Sequence, residues 1–350
     1  MNILTSFLIL ISVISVYISP SKFWITALFG LTYKFFSLAG ILFIVTWIFV
    51  NRKYVLYSIF LFLPAFWQFP VSFQLNMSKK SEPGMVKLMT YNVWNFCRSN
   101  NIYVEPCLRD SILDVTQKEK PDILCFQEFA LGKGSKDTDI RNIGTQFQLK
   151  YYSYAKYLKY PRDVSGLVTF SHYPILHYDS LKNGSRLTYA QISDILIRNR
   201  VVRIINVQLS SNRLNASDSL YVIDQKLDNS MIKNTKELFL TRLKNAYIER
   251  ETQIKRICKI IKFSPYPVVL VGDFNDTPVS YVYHQASKLL TDAYRESGCG
   301  FCNTYCGKKA PAFRIDYVLY DKMMKSSNFR VIKSQLSDHY PMTVMLGFRY

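Results

Sequence analysis

From residue 2 to about residue 71 the chain is a nearly unbroken run of Ile, Leu, Phe, Val, Trp and Tyr, interrupted by charge only at Lys22, Lys34, Arg52 and Lys53. A helix needs roughly 20 apolar residues to cross a bilayer core. The run 3–19 is slightly short and 31–50 is sufficient. The run 54–73 is also adequate, although Pro64 and Pro70 should kink or end it. Three transmembrane helices are therefore predicted within residues 1–75, followed by a linker over 76–84 and one large domain over 85–350. The first run lacks the basic start of a signal peptide, and more apolar sequence follows it. In a three-span arrangement Arg52 and Lys53 share a side with the N-terminus and Lys22, Lys34, Lys79 and Lys80 share the other, a count that does not settle orientation; the concentrated Arg52 and Lys53 turn, with Lys34 able to snorkel, tips the reading of this multi-pass leader toward an extracytoplasmic domain.

Beyond the leader the pattern changes to alternating strands and amphipathic helices. Strands are predicted over 86–96, 122–128, 166–171, 187–197, 201–209, 267–273 and 313–320, with helices over 106–118 and 233–263. Thr277 followed by Pro278 resembles the cap and first turn of a further helix running to Leu290. Polar residues stand where several of these apolar runs end: Asn92, Glu128, Asp273 with Asn275, Asp316, and Asp338 with His339. Burying such groups is costly unless they meet partners, so their placement points to a site for a metal and a phosphate.

Local spacing sharpens that chemistry. In Gly272-Asp273-Phe274-Asn275 the two polar side chains are two residues apart. On an extended segment they would share a face, one taking a proton from water while the other holds that water or a phosphate oxygen. An ordinary Asp/Asn turn is the plainer alternative. Asp316, in an otherwise apolar strand, needs a partner, and His339 is the obvious one. A carboxylate on one imidazole nitrogen would fix the tautomer and favour the charged ring, which could then bind a phosphate.

Charge adds a class of partner. The formal net charge is +19, and residues 85–350 carry 38 Lys and Arg against 24 Asp and Glu, about +14 of that total. Such a surface suits nucleic acid or an anionic membrane, or simply keeps a tethered domain soluble. Tyr151, Tyr152, Tyr154, Tyr157 and Tyr160 interleave with Lys150, Lys156 and Lys159. That could be a stacking surface for nucleic acid, and reads better as an amphipathic strand with a solvated basic face. Cys299, Cys302 and Cys306 lack an evident fourth ligand for zinc and suggest a disulfide or buried thiols; Cys97 with Cys107 is a second candidate pair. Asn183-Gly184-Ser185 and Asn215-Ala216-Ser217 match glycosylation acceptors.

Taken in order, Thr90-Tyr91-Asn92-Val93, Cys125-Phe126-Gln127-Glu128, Gly272-Asp273-Phe274-Asn275, Arg314-Ile315-Asp316-Tyr317 and Ser337-Asp338-His339-Tyr340-Pro341 resemble the motifs of the endonuclease/exonuclease/phosphatase superfamily. The resemblance runs from about Val86 to the C-terminus. It implies a four-layer α/β sandwich of two packed mixed β-sheets flanked by helices, with the site at one edge. It also implies a Mg²⁺ or Mn²⁺ ion held mainly by Glu128, with Asn92 beside it and Asp338 assisting. Asp273 would activate the attacking water with help from Asn275, and Asp316 would orient a phosphate-binding His339. The expected activity is a membrane-anchored phosphodiesterase acting on nucleic acid or a membrane lipid. One position departs from the pattern: where this chain has Gln208 many relatives have His and apurinic endonucleases have Tyr, and since Gln can donate a hydrogen bond but cannot act as a titratable acid, either activity is reduced or metal-bound water protonates the leaving group. A catalytically weak or inactive tethered binding protein is the alternative, and recovery of activity in Gln208→His would show an intact scaffold.

Overall fold

The computed structural model describes residues 2–76, 81–96, 108–131, 136–157, 164–183, 187–211, 229–307 and 312–349. The chain forms two compact units. One contains Met1–Ser72, Ser210–Lys255 and Asp276–Gln285, and the other contains Phe73–Leu209, Arg256–Asn275 and Ala286–Tyr350.

In the first unit the apolar leader forms α1 (Asn2–Ser15), α2 (Pro20–Phe23), α3 (Ile25–Val50) and α4 (Lys53–Phe66). Close packing of α3 on α4 depends on Gly40, where an added Cβ would lie 2.5 Å from the Phe62 ring. Polar groups inside the bundle find partners: the Tyr33 hydroxyl donates to the Ala65 carbonyl at 2.5 Å, and the Asn2 amide donates to Ser58 Oγ at 2.5 Å. Leu42, Phe49, Leu56 and Phe60 remain exposed. With 26 residues, α3 is the one helix among the described residues long and apolar enough to cross a membrane. The helices α1 and α4 have 14 residues each, about 21 Å at the helical rise and short of a bilayer core. Three spans were expected. Pro20 separates the first run from α3, and Pro64 and Pro70 limit the last, which explains the difference.

The leader is not alone in this unit. Glu251 accepts hydrogen bonds from Ser19 Oγ at 2.5 Å and from the Ser21 amide at 2.7 Å. Gly30 lies so near the Val279 carbonyl that a Cβ would sit 2.1 Å from its oxygen. The downstream pieces 210–255 and 276–285 therefore pack with residues 1–72 as one body.

The second unit contains the strands β1 (Phe73–Leu75), β2 (Val86–Asn92), β3 (Ile123–Leu131), β4 (Tyr151–Lys156), β5 (Val164–Ser171), β6 (Ile175–Asn183), β7 (Leu187–Ile197) and β8 (Arg200–Gln208). These are followed by β9 (Val268–Asp273), β10 (Thr291–Asp292), β11 (Cys299–Phe301), β12 (Asp316–Tyr320), β13 (Met324–Val331) and β14 (Met342–Phe348). Two six-stranded mixed sheets result, in the orders β13-β14-β2-β3-β5-β4 and β10-β12-β9-β8-β7-β6, with β1 and β11 as a separate pair. Among the described strands, β2 with β3 and β8 with β9 are the parallel pairs. Leu88, Ile123 and Val344 of the first sheet pack against Val202, Ile204, Val269 and Val318 of the second.

Helices α5 (Arg109–Glu119) and α6 (Asp137–Gln146) cover the outer face of the first sheet. Their Ile112, Leu113, Ile140 and Ile143 join a buried cluster with Phe126, Phe129 and Phe170. The last turns of α7 (Asn229–Lys262) reach the second sheet, where Arg256 donates to the Lys182 carbonyl at 3.2 Å. Together these layers make the four-layer α/β sandwich expected from the sequence.

Near the ends of β2, β3 and β8 the inter-sheet core becomes polar. Gln127 Nε2 donates to Asn206 Oδ1 at 2.7 Å and to Thr90 Oγ1 at 3.0 Å, while the Asn206 amide reaches the carbonyls of Phe126 at 3.1 Å and Val168 at 3.2 Å. Fully satisfied, such a network ties one sheet to the other in a single register. Gly272 follows the same logic. Its φ is +127°, and a Cβ there would lie 2.2 Å from the Val207 carbonyl oxygen on the neighbouring parallel strand. Gly272→Ala is expected to lower stability by about 2–4 kcal/mol through strain and backbone collision. Urea denaturation giving a midpoint equal to wild type would contradict this account.

The predicted helix beginning at Thr277 is shorter than expected. Residues 276–280 are bent, irregular backbone and α8 spans Tyr281–Ser287, with Ser280 Oγ accepting from the Tyr283 amide at 3.2 Å. Among the described residues, Cys125, Cys258, Cys299, Cys302 and Cys306 are free thiols, so the 299–306 group takes the thiol option. Burial pushes the Cys302 thiol up to about 12, opposed by Arg314. Cys97, Cys107, Asn215, Lys159 and Tyr160 lie outside the described residues.

Candidate active site

The chain builds the site from strand ends. Asn92 closes β2, and its Oδ1 accepts from the Trp94 amide at 3.1 Å, which turns the backbone out of the sheet through Trp94–Phe96. That capped turn is why the strand ends before the predicted residue 96. Glu128 lies at an irregularity of the β3–β5 pairing between Phe126 and Phe129, with a left-handed φ of 48°. Bulges re-aim side chains, and here the carboxylate is turned toward Asn92 and Gln208. Gln208 and Asp273 stand side by side across the parallel β8–β9 pair, and Asp316 faces Asp273 across β9–β12.

Asp273 is the centre of this arrangement. Its Oδ1 accepts from the Asn275 amide at 2.8 Å, and its Oδ2 accepts from Asn92 Nδ2 at 3.1 Å and from Asn275 Nδ2 at 3.0 Å. Asn275 has a φ of 52° and is not extended. The two residues therefore meet through an Asx turn, in place of the shared extended face that their spacing suggested. Asn275 Nδ2 also donates to the Leu209 carbonyl at 2.9 Å.

On the other side of Asp273 stands His339, with Nε2 3.9 Å from Asp273 Oδ2 and Nδ1 2.9 Å from Asp316 Oδ2. The loop carrying it is fixed to β2, since Ser337 Oγ donates to the Asn92 carbonyl at 2.8 Å. Asp338 is buried; its carboxylate accepts from Ser337 Oγ at 3.4 Å and its carbonyl from the Cys306 amide at 2.8 Å. The expected Asp316 and His339 pair is thus present, as is the convergence of Asn92, Glu128, Asp273 and His339 at one sheet margin.

Electrostatics follow from burial. Desolvation raises the Asp273 carboxyl to about 7, with Asp316 and Glu128 adding to the rise and His339 and Asn275 opposing it. For His339, burial favours the neutral ring, but Asp316 and then Asp273 outweigh it and the net shift is upward. The upward shift favours the protonated ring, whose Nε2–H would then stand near Asp273.

Glu128 differs. Its Oε1 accepts from Asn92 Nδ2 at 3.2 Å and from Gln208 Nε2 at 2.6 Å, both neutral donors. Asp273, Asp316 and His339 form the one compact group of potential ligands found among the described residues. There, however, the imidazole supplies the positive charge itself. Glu128 offers carboxylate oxygens whose side-chain donors are both neutral amides, and an oxygen ligand of this kind fits a hard divalent cation.

Two contributors were not singled out from the sequence. Tyr157, read there only as part of the Tyr and Lys alternation, donates its hydroxyl to Gln208 Oε1. Gln127 anchors the polar layer below the site. An interior-facing Gln just before Glu128 was the available signal, whereas Tyr157 follows the end of β4 and carried none.

A sequence profile described as the Endonuclease/Exonuclease/phosphatase family matches residues 89–339, and one described as a domain of unknown function (DUF8431) matches residues 1–72. No curated protein matches the chain. Among solved structures, an endonuclease/exonuclease/phosphatase from Beutenbergia cavernae is 17% identical, with 75% of this chain and 72% of that one covered and a TM-score of 0.54. The human Nocturnin catalytic domain with bound sulfate is 14% identical, covering 78% and 97%, with a TM-score of 0.53. An endonuclease/exonuclease/phosphatase from Bacteroides vulgatus is 14% identical, covering 76% and 99%, with a TM-score of 0.52. At these identities the structures establish the shared fold. The profile covers most of the chain, which therefore belongs to the endonuclease/exonuclease/phosphatase family, a superfamily whose members generally hydrolyse phosphoester bonds.

Proposed function

We propose that this protein is a membrane-anchored, divalent-metal-dependent phosphodiesterase that hydrolyses a nucleic acid or lipid phosphoester with an activated water. The observation that carries the reading is Asp273, a buried carboxylate oriented by Asn92 and Asn275 and standing 3.9 Å from the His339 imidazole. Asp273, whose carboxyl is raised to about 7, takes the proton of the attacking water near neutral pH. Asn92 and Asn275 hold that carboxylate in position. His339, tied through Nδ1 to Asp316, offers its Nε2–H to a phosphate oxygen. Glu128, flanked by Asn92 and assisted by Asp338, would hold Mg²⁺ or Mn²⁺. Held there, such an ion would supply positive charge to offset that gathering on the phosphate. Helix α3 anchors the chain in a bilayer, and α1 and α4 pack beside it with apolar faces suited to lipid.

The test is hydrolysis by the full-length protein in detergent of single-stranded DNA, duplex DNA, sphingomyelin and phosphoinositides, with and without added Mg²⁺ or Mn²⁺. Turnover of at least one substrate should appear with metal and vanish with chelator. Binding of these ligands without turnover under either condition would reject the enzyme and leave a tethered binding protein.

A further inference from the structure

At the end of the sandwich away from the candidate active site, the two sheets part around a cavity of about 230 Å³. Strands β2, β8 and β9 all run from this cavity toward the site: Val86, Arg200 and Val269 stand at it, and Asn92, Gln208 and Asp273 close the other ends. A strand rises about 3.3 Å per residue, so most of the length of these strands separates the two places. The walls include Leu88 and Ile123 of the first sheet and Val202, Ile204 and Val269 of the second, each at most 1% exposed. Protein interiors hold few voids larger than one water. An apolar cavity of roughly 150 Å³ stays dry and admits benzene; this one is larger and opens to solvent past exposed residues of the turn between β7 and β8.

The mouth of the cavity is cationic. Arg198 and Arg200 lie on and just after that turn, and both are exposed. Their guanidinium groups are placed by other residues of the lining. Arg198 Nη1 lies against Gly84, where an added Cβ would be 2.8 Å from it, and the Arg200 guanidinium lies 4.7 Å from the centre of the Phe348 ring. The acidic residue at the rim, Glu82, is engaged by Lys325 Nζ at 2.6 Å. Neither arginine forms an ion pair among the described residues. A dry apolar chamber beneath two uncompensated guanidinium groups is complementary to a molecule with an apolar tail and an acidic head. Guanidinium holds a carboxylate through paired, charge-assisted hydrogen bonds, and pockets of this kind combine apolar walls with a few polar groups that fix orientation.

We infer that this cavity binds a free fatty acid of medium chain length, its tail between the sheets and its carboxylate on Arg198 and Arg200. The volume has room for one such chain and not for the two of a diacyl lipid.

The experiment uses the full-length protein in nanodiscs of neutral phosphatidylcholine and a ten-carbon fatty acid carrying a diazirine near its tail end. After irradiation, the label should appear in peptides containing Leu88, Val202 or Ile204. Decanoate should compete with it. Decanol, with the same tail and no charge, should need about tenfold more, and butyrate, with the charge and little tail, should not compete. Replacing both exposed arginines, Arg198→Ala with Arg200→Ala, should weaken labelling about tenfold or more, the effect of removing charged hydrogen-bond donors. Val202→Phe should abolish labelling by filling the chamber, and the arginine variant keeps the test decisive should that core substitution impair folding. Equal competition by decanol and decanoate, or label confined to residues outside the cavity, would overturn the inference. Loss of the label when anionic phosphatidylglycerol replaces part of the bilayer would assign the cavity to a membrane lipid and overturn the single-chain ligand. No turnover is read, so failure here leaves the phosphodiesterase reading untouched.

Discussion

Asp273→Asn is expected to lower kcat by at least about 100-fold, because it removes the base that takes the water proton, a contribution worth about 10²–10⁴-fold. In wild type the same group should govern pH dependence, with kcat/KM rising as the pH passes about 7 and Asp273 ionises. Stability should move the opposite way. The folded value of Asp273 lies above its ordinary 3.8, so between about pH 4 and 7 the native state holds a proton that the unfolded chain has lost. Stability of the metal-free protein should therefore decline across that window, by at most about 1.4 kcal/mol per pH unit. His339, also shifted upward, extends the decline above its ordinary 6.5 as its proton is lost. In Asp273→Asn the decline between pH 4 and 6.5 should become shallower, leaving the parts due to other groups raised by burial, such as Asp276, and to His339. The variant need not be more stable at every pH, since both oxygens of Asp273 accept hydrogen bonds and an amide nitrogen in either place would face a donor. Urea midpoints measured from pH 4 to 8 without divalent ions decide the matter. Parallel pH curves for the two proteins would remove Asp273 as the titrating group.

Glu128→Gln tests the second centre. The substituted amide can still accept from Asn92 and Gln208 through its oxygen, so little structural cost is expected. Removing the charge should raise the Mn²⁺ concentration for half-maximal activity by more than about 10–100-fold, the range already seen when only an outer-shell partner of a ligand is lost. A second effect separates this from general damage. Glu128 is one of the charges holding the Asp273 carboxyl high, so its loss should move the rise in kcat/KM to lower pH. An unchanged metal requirement together with an unchanged pH profile would place the ion elsewhere.

Much of this centre was legible in the sequence because buried polar residues stand out against apolar strands. Asn92, Glu128, Asp273 and Asp316 each interrupt or end a run of apolar residues, and they meet His339, from the polar Ser337-Asp338-His339 stretch, at one sheet margin. The layered sandwich could be expected for the same reason, since the two parallel pairs follow helical crossovers whose periodicity is visible. The conformation of Asn275 was hidden, because residue spacing carries no sign for φ and an extended segment was only one way to bring it onto Asp273. Strand β6 was also missed. Its residues are mostly exposed or half-buried along their length, so no apolar alternation marked it. The leader's composition suggested spans that prolines then shortened into two 14-residue helices, since hydropathy does not record where a helix must stop.

The hydrogen-bonded layer around Gln127 and Asn206 has a consequence for how the protein meets its ligands. One sheet supplies Asn92 and Glu128, the other supplies Gln208, Asp273 and Asp316, and sliding one past the other by a single residue would break every bond of that layer at once. The two halves are thus indexed like the jaws of a keyed vise, closed before anything enters. Backbone amides of β2, β3 and β8 near the layer should exchange with deuterium equally slowly in chelator and in Mn²⁺, so that ligand entry costs no assembly of the scaffold.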